Sequence, residues 1–260
     1  MFRLADGVDT LNSRLASWWG SAAAAAEYAL LQSGPLSMAP SQLGAFARSG
    51  LDADRATPDL QWHVQPLSLD SWEEPLHAWP GLTASVCNLR PTSRGRVELT
   101  TADSRDAPMI DPNYLSTERD RAVAVRSMRL TRAIAAGLDA RLCAAEHAPG
   151  AHLQSDEELV AAAGRIGTSI FHPAGTTRMG RDGDAGAVLD AQLRVRDGTR
   201  GGTIAGLRVV DCGAMPSITS GNTNLPTYAI AEKAARMILG QDRDAAGRPG
   251  DEREARAREA

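Results

Sequence analysis

Residues 59–65 read Asp59-Leu60-Gln61-Trp62-His63-Val64-Gln65, apolar and polar side chains alternating until Pro66. A period of two sends one set of side chains to a buried face and the other outward, which is the pattern of an antiparallel strand. Two more runs downstream read the same way. One covers 82–89, with Thr83 and Val86 among small residues; the other is Arg96-Val97-Glu98-Leu99-Thr100, after a Ser93-Arg94-Gly95 turn. Upstream, Asp9 to Leu31 carries an alanine run with Leu15, Trp18, Tyr28 and Leu31, which predicts a single helix closed by Ser33-Gly34-Pro35. Beyond the strands, Val123, Ser127, Leu130 and Ile134 share a face of a helix running from Ser116 or Thr117 towards Gly137. Ser155 and Glu158, just before Leu159 and Val160, form a capping box that opens another helix. Later come an apolar strand at Leu207-Arg208-Val209-Val210, a long polar loop, and a helix with Pro226 at its first position. The fold class is therefore α+β, a mostly antiparallel sheet with helices followed by a smaller strand–loop–helix module. The expected boundaries are 1–165, 166–240 and a charged, disordered tail at 241–260.

Composition excludes several functions. With 43% hydrophobic and 23% charged residues the chain reads as soluble and globular, and a net charge of −4 leaves no basic excess for nucleic acid. Cys87, Cys143 and Cys212 form no C-x-x-C pair, so neither a disulfide scaffold nor a cysteine zinc site is expected. His63, His77, His147, His152 and His172 include no H-x-x-x-H spacing, so no metal site is expected either. No G-x-S-x-G elbow supports a hydrolase built on Ser217 or Ser220. A P-loop is absent, no G-x-G-x-x-G follows a strand, and Gly180, Gly183 and Gly186 have the wrong spacing. No apolar run could span a bilayer and the first residues carry no secretory signal, so the expected location is cytoplasmic.

Two segments carry candidate chemistry. In Phe171-His172-Pro173-Ala174-Gly175-Thr176-Thr177, the proline biases His172 to extended backbone and the small residues permit close approach of another group. From Val210 through Asp211, Cys212 and Gly213 to Asn222, Thr223 and Asn224, a strand end passes through a loop of small residues into a helix start. Free backbone N–H groups at such a place suit an anionic or electron-rich ligand. Read without further context, the first is also an ordinary turn and the second an ordinary turn with an N-cap.

Taken together, FHPAGTTRMG at 171–180, AVLDAQLRV at 187–195 and GLRVVDCGAMPSITSGNTNLPTYAIAEKAARMI at 206–238 resemble the C-terminal signature of the glucose–methanol–choline (GMC) flavin oxidoreductases. Upstream, GPLSMAPSQLGAF, PDLQWHVQP, NLRPTSRGRVEL and APMIDPNYL look like the substrate-domain segments of that family, in its choline dehydrogenase-like and alcohol dehydrogenase-like branch. The resemblance covers roughly 9–239. It implies a substrate domain over 1–165, FAD as cofactor, and oxidation of a primary alcohol to an aldehyde with hydride transfer to flavin N5. His172 and Asn222 fall on the catalytic positions. Phe171, Asp211, Cys212, Gly213, Asn222, Thr223 and Asn224 fall on cofactor contacts. An imidazole can take the alcohol proton and a carboxamide can stabilise the developing oxyanion. Where family members carry alanine or glycine then serine after the aspartate, this chain has Cys212 then Gly213.

The resemblance starts past the family's N-terminal dinucleotide-binding half, which this sequence is expected to lack. The implied partners are a small-molecule alcohol and an N-terminal FAD-binding half, with no nucleic acid and no transmembrane segment. FAD binding by this chain alone is expected to be poor, and its final strand, parallel in the family, is expected to lack sheet neighbours. The alternative is a non-catalytic, truncated remnant or substrate-binding module. His63, Met38, Gln42, Trp18, Trp19, Trp72 and Trp79 are weaker candidates to line a substrate cavity. With Glu73 and Glu74, Trp72 could form a cage for a cationic substrate.

Overall fold

A computed structural model describes residues 1–241 except positions 40, 53, 55, 72, 139 and 140. Trp72 and the expected tail from 242 onward lie outside the described residues. The chain divides into two compact units, 1–170 and 171 onward. Among the described residues no helix is long and apolar enough to cross a membrane.

The first unit is built on an antiparallel sheet. Its strands are β1 (Phe2–Leu4), β2 (Leu43–Ala47), β3 (Leu60–Gln65), β4 (Gly81–Asn88) and, beyond the hairpin of β5 (Arg96–Glu98) and β6 (Met109–Asp111), β7 (Cys143–Glu146). Their order across the sheet is β2-β3-β4-β1-β7. The alternation in β3 does what its period requires. Trp62 sits opposite Val86 of β4, and Leu60, Trp62 and Val123 form a buried cluster flanked by Val64, Ala84, Val86 and Leu130. One difference is instructive: Gln61 is buried too, so both faces of β3 are covered at its start rather than one.

Val123 and Leu130 belong to helix α3 (Glu118–Ala136), and the Trp62 Nε1–H donates to Thr131 Oγ1 on the same helix at 2.8 Å. At its N-terminus Thr117 caps the Asp120 amide. Asp120 is itself buried and reaches back to the turn after β4, accepting from the Thr92 amide at 2.9 Å, the Ser93 amide at 2.7 Å and the Thr92 hydroxyl at 3.0 Å. Burial pushes the Asp120 carboxyl up, but the bonds from Ser93 and Thr92 outweigh it and hold the group below its ordinary range. The Ser155–Glu158 capping box forms as the sequence predicts and opens helix α4 (Asp156–Ile166).

The single helix expected over 9–31 is two, α1 (Leu11–Leu15) and α2 (Trp18–Leu31). Ser17 turns extended and caps the Gly20 amide. A Cβ on Gly20 would overlap the Arg14 carbonyl oxygen, so the break depends on that glycine.

In the second unit the expected strand at 207–210 lies earlier, as β9 (Thr203–Arg208). It pairs antiparallel with β8 (Arg194–Arg196) rather than running as a parallel strand without neighbours. The final helix, α5 (Asn224–Ile238), starts two residues before Pro226, which sits inside the first turn, where it still needs no amide hydrogen bond. Leu189, Leu193, Ala214 and Ala234 form this unit's core, with Val209, Val210 and Ile230 packed on it.

Candidate active site

The two segments picked out by sequence lie side by side in the second unit. The Gly175 amide donates to the Cys212 carbonyl, Thr177 to Gly213, and Met179 to Ala214, at 3.0–3.2 Å. Small residues permit this approach. A Cβ on Gly213 would stand 2.7–2.8 Å from Asp211 Oδ1 and from the hydroxyls of Thr176 and Thr177, closer than real side chains tolerate. Gly175 takes a left-handed φ of 84°, which costs glycine nothing. Within this strap of residues 172–179, Arg178 grips Asp184 in a bidentate pair at 2.6 and 2.8 Å. The guanidinium, helped by the Gly186 amide, holds the Asp184 carboxyl down at about 2.

His172 stands at the head of this strap, half-buried. Its ring is held at both nitrogens. Asn222 Nδ2 lies 2.7 Å from Nε2, and Thr223 Oγ1 lies 3.0 Å from Nδ1. An amide N–H can only donate, so Nε2 accepts and the proton resides on Nδ1, which donates to the threonine hydroxyl. Thr223 is 5% exposed, whereas Asn222 is exposed. The ring therefore has a buried anchor behind Nδ1 and an open side at Nε2.

Of the residues predicted from sequence, His172, Asn222 and Thr223 are thus in mutual contact. Cys212 is close by, its Sγ–H donating to the Pro173 carbonyl at 3.2 Å. Asp211 accepts from the Gly213 amide at 2.6 Å and shapes the turn that follows. Phe171 and Asn224 are exposed, Phe171 in a left-handed conformation with φ 63°. The weaker candidates belong to the first unit. His63 faces Ser85 and Gly44 within the sheet. Trp18 and Trp19 stack on each other at the surface. Met38, Glu73 and Glu74 are exposed, as is Gln42, directly before β2.

What sequence reasoning missed is Thr223's bond to His172. Its hydroxyl serves the ring and does not cap α5, whose N-terminus has no side-chain cap. The only signal was its position directly after Asn222. With the cap absent, the positive end of a 15-residue helix stays available to an anionic group.

The GMC oxidoreductase family profile matches residues 91–231. An alcohol dehydrogenase [acceptor] of Pseudomonas putida is 38% identical over 213 residues, which is 82% of this chain and 37% of that protein. The mitochondrial choline dehydrogenase of Mus musculus is 40% identical over 201 residues, 76% of this chain and 32% of that protein. The chain thus spans about two-fifths or less of the length of these relatives. A formate oxidase from Aspergillus oryzae, whose FAD undergoes modification, superposes with a TM-score of 0.80 over 94% of this chain and 45% of its own, at 24% identity.

Proposed function

Because the chain belongs to the GMC oxidoreductase family, we propose that it carries the catalytic histidine and substrate domain of an FAD-dependent enzyme that oxidises a primary alcohol to an aldehyde. The observation that carries this reading is the His172 ring clasped between Asn222 and Thr223 with Nε2 on its open side. The surroundings fit a flavin ring. Phe171, Leu225 and Tyr228 offer exposed apolar surface, and the uncapped end of α5 favours negative charge. Phe171, Asp211, Cys212, Gly213, Asn222, Thr223 and Asn224 are the residues that would hold it. FAD, when bound, supplies the acceptor for the hydride of the alcohol carbon.

The chain's own residues handle the proton. His172 Nε2, unprotonated in the resting tautomer, accepts it from the substrate hydroxyl. Asn222 Nδ2 moves its hydrogen bond from that nitrogen to the developing alkoxide oxygen. Thr223 Oγ1 keeps its bond to Nδ1–H throughout, so the ring cannot turn and the imidazolium retains an acceptor. Thr223 is thus a positioning residue. Thr223→Val is expected to lower kcat up to about tenfold, the worth of one hydrogen bond. It should also move the acid limb of the pH–rate profile to lower pH, because the imidazolium loses an acceptor. Thr223→Ser should restore both, and an unshifted profile would refute the role.

A dinucleotide-binding half is the partner this reading requires. Co-expression of the chain with such a half, encoded upstream or taken from a relative, is expected to yield a yellow complex that primary alcohols bleach without oxygen. The chain expressed alone should be colourless. If the DNA upstream encodes no such half and no complex gains flavin, the second reading stands, a non-catalytic module retaining the substrate domain. Retention of both His172 and Asn222 in contact favours the first.

A further inference from the structure

In the first unit, the connection between β3 and β4 brings Asp70 and His77 together with His147, which directly follows β7. One ligand atom from each lies within 4.8 Å of the others. Asp70 Oδ1 is 3.3 Å from His77 Nε2 and 3.6 Å from His147 Nε2. Ligand atoms around a tetrahedral zinc ion, bound at about 2.0–2.1 Å, stand about 3.3–3.4 Å apart. From these positions we propose that Asp70, His77 and His147 form a binding site for a divalent transition-metal ion of the Zn²⁺ class, with a fourth position open to water.

Three features separate this cluster from a chance meeting of polar side chains. The first is that His77 is built in. Its Nδ1 meets Ser68 Oγ at 2.9 Å, and its side chain is 13% exposed. Ser68 is fully buried, and Asn12, also buried, ties the whole arrangement. The Asn12 Oδ1 accepts from the Ser68 amide at 2.8 Å, and its Nδ2 donates to the carbonyls of Ser68 and His77, each at 2.9 Å. A hydrogen bond at the far nitrogen of a ligating imidazole fixes both tautomer and ring direction, as metal sites require.

The second feature is the nitrogen left over. His77 Nε2 is buried and makes no well-formed hydrogen bond, with the carboxylate oxygen Asp70 Oδ1 3.3 Å away. In the tautomer that carries its proton on Nδ1, towards Ser68 Oγ, the ring presents an Nε2 lone pair to that carboxylate, and a cation between the two satisfies both. The third is convergence. His147 is held by its amide, which donates to the Met1 carbonyl at 2.9 Å, and its ring meets the His77 ring edge-on at 4.9 Å. Trp79 stacks on His77 at 4.3 Å and shields one side. Imidazole and carboxylate donors with an open position suit Zn²⁺ and its neighbours better than the hard cations, which prefer all-oxygen sites.

The test uses the full chain, together with its dinucleotide-binding half if it needs one to be soluble. After chelator treatment the protein is titrated with Zn²⁺ by calorimetry and with Co²⁺ by visible absorption. The expected result is one equivalent bound per chain, with the d–d bands of a tetrahedral nitrogen/oxygen site. Asp70→Asn and His147→Gln alter exposed side chains and leave the Ser68–Asn12 framework untouched, which far-UV circular dichroism checks. Each is expected to weaken Zn²⁺ binding at least about tenfold. Absence of stoichiometric uptake by the parent chain would overturn the proposal. So would uptake that both variants retain in full, which would assign the ion to other histidines.

Discussion

An alanine at position 172 is expected to slow flavin reduction by alcohol about 10²–10⁴-fold in the assembled enzyme. Flavin content and fold should be unchanged. The size follows from what is removed. Nε2 is the nitrogen on the open side of the site, and Asn222, left behind, can donate a hydrogen bond but cannot accept a proton. Stopped-flow measurement of the anaerobic bleaching separates this step from reoxidation. Equal rates in the two proteins would remove His172 from the chemistry. Fold is not at stake in this substitution, because the strap that carries the residue is held by main-chain bonds from Gly175, Thr177 and Met179.

Asp120→Ala is expected to destabilise the first unit by about 2–4 kcal/mol. That corresponds to a Tm lower by roughly 5–15 °C. The carboxylate gathers the amides of Thr92 and Ser93 and the Thr92 hydroxyl, and alanine leaves those donors with no acceptor at the start of α3. The effect has a pH signature. The folded-state value of Asp120 lies below the ordinary 3.8, so its contribution is complete above that pH and is lost as pH falls through the lower, folded value. The gap in Tm between parent and variant should therefore be constant from neutral pH to about 4 and close below it. A gap under 2 °C at pH 7, or one that persists unchanged in acid, would show that the turn after β4 holds without this residue.

Where local chemistry decided the structure, the sequence could be read. The alternation at 59–65 became β3, the Ser155–Glu158 box opened α4, and the segments around His172 and Asn222 met. Where a distant partner decided it, the sequence was silent. Strands of three residues such as Phe2–Leu4 and Arg194–Arg196 have no room for a period, and only their neighbours make them strands. The break between α1 and α2 turned on the Arg14 carbonyl meeting Gly20, inside a run that reads as uninterrupted helix. Val209 and Val210 read as strand because they are apolar, yet they pack on the core after β9 has ended. The Asp70–His77–His147 cluster escaped because spacing motifs detect ligands only within one segment, and here His147, after β7, joins two residues of the much earlier β3–β4 connection.

The strap that seats His172 is written in peptide groups, and peptide groups are the same whatever side chain is attached. Alanine, threonine and arginine at 174, 176 and 178 can therefore be exchanged without loosening the imidazole, provided no proline replaces a donor at 175, 177 or 179. Natural drift around such a seat can change its surroundings while the imidazole keeps its address.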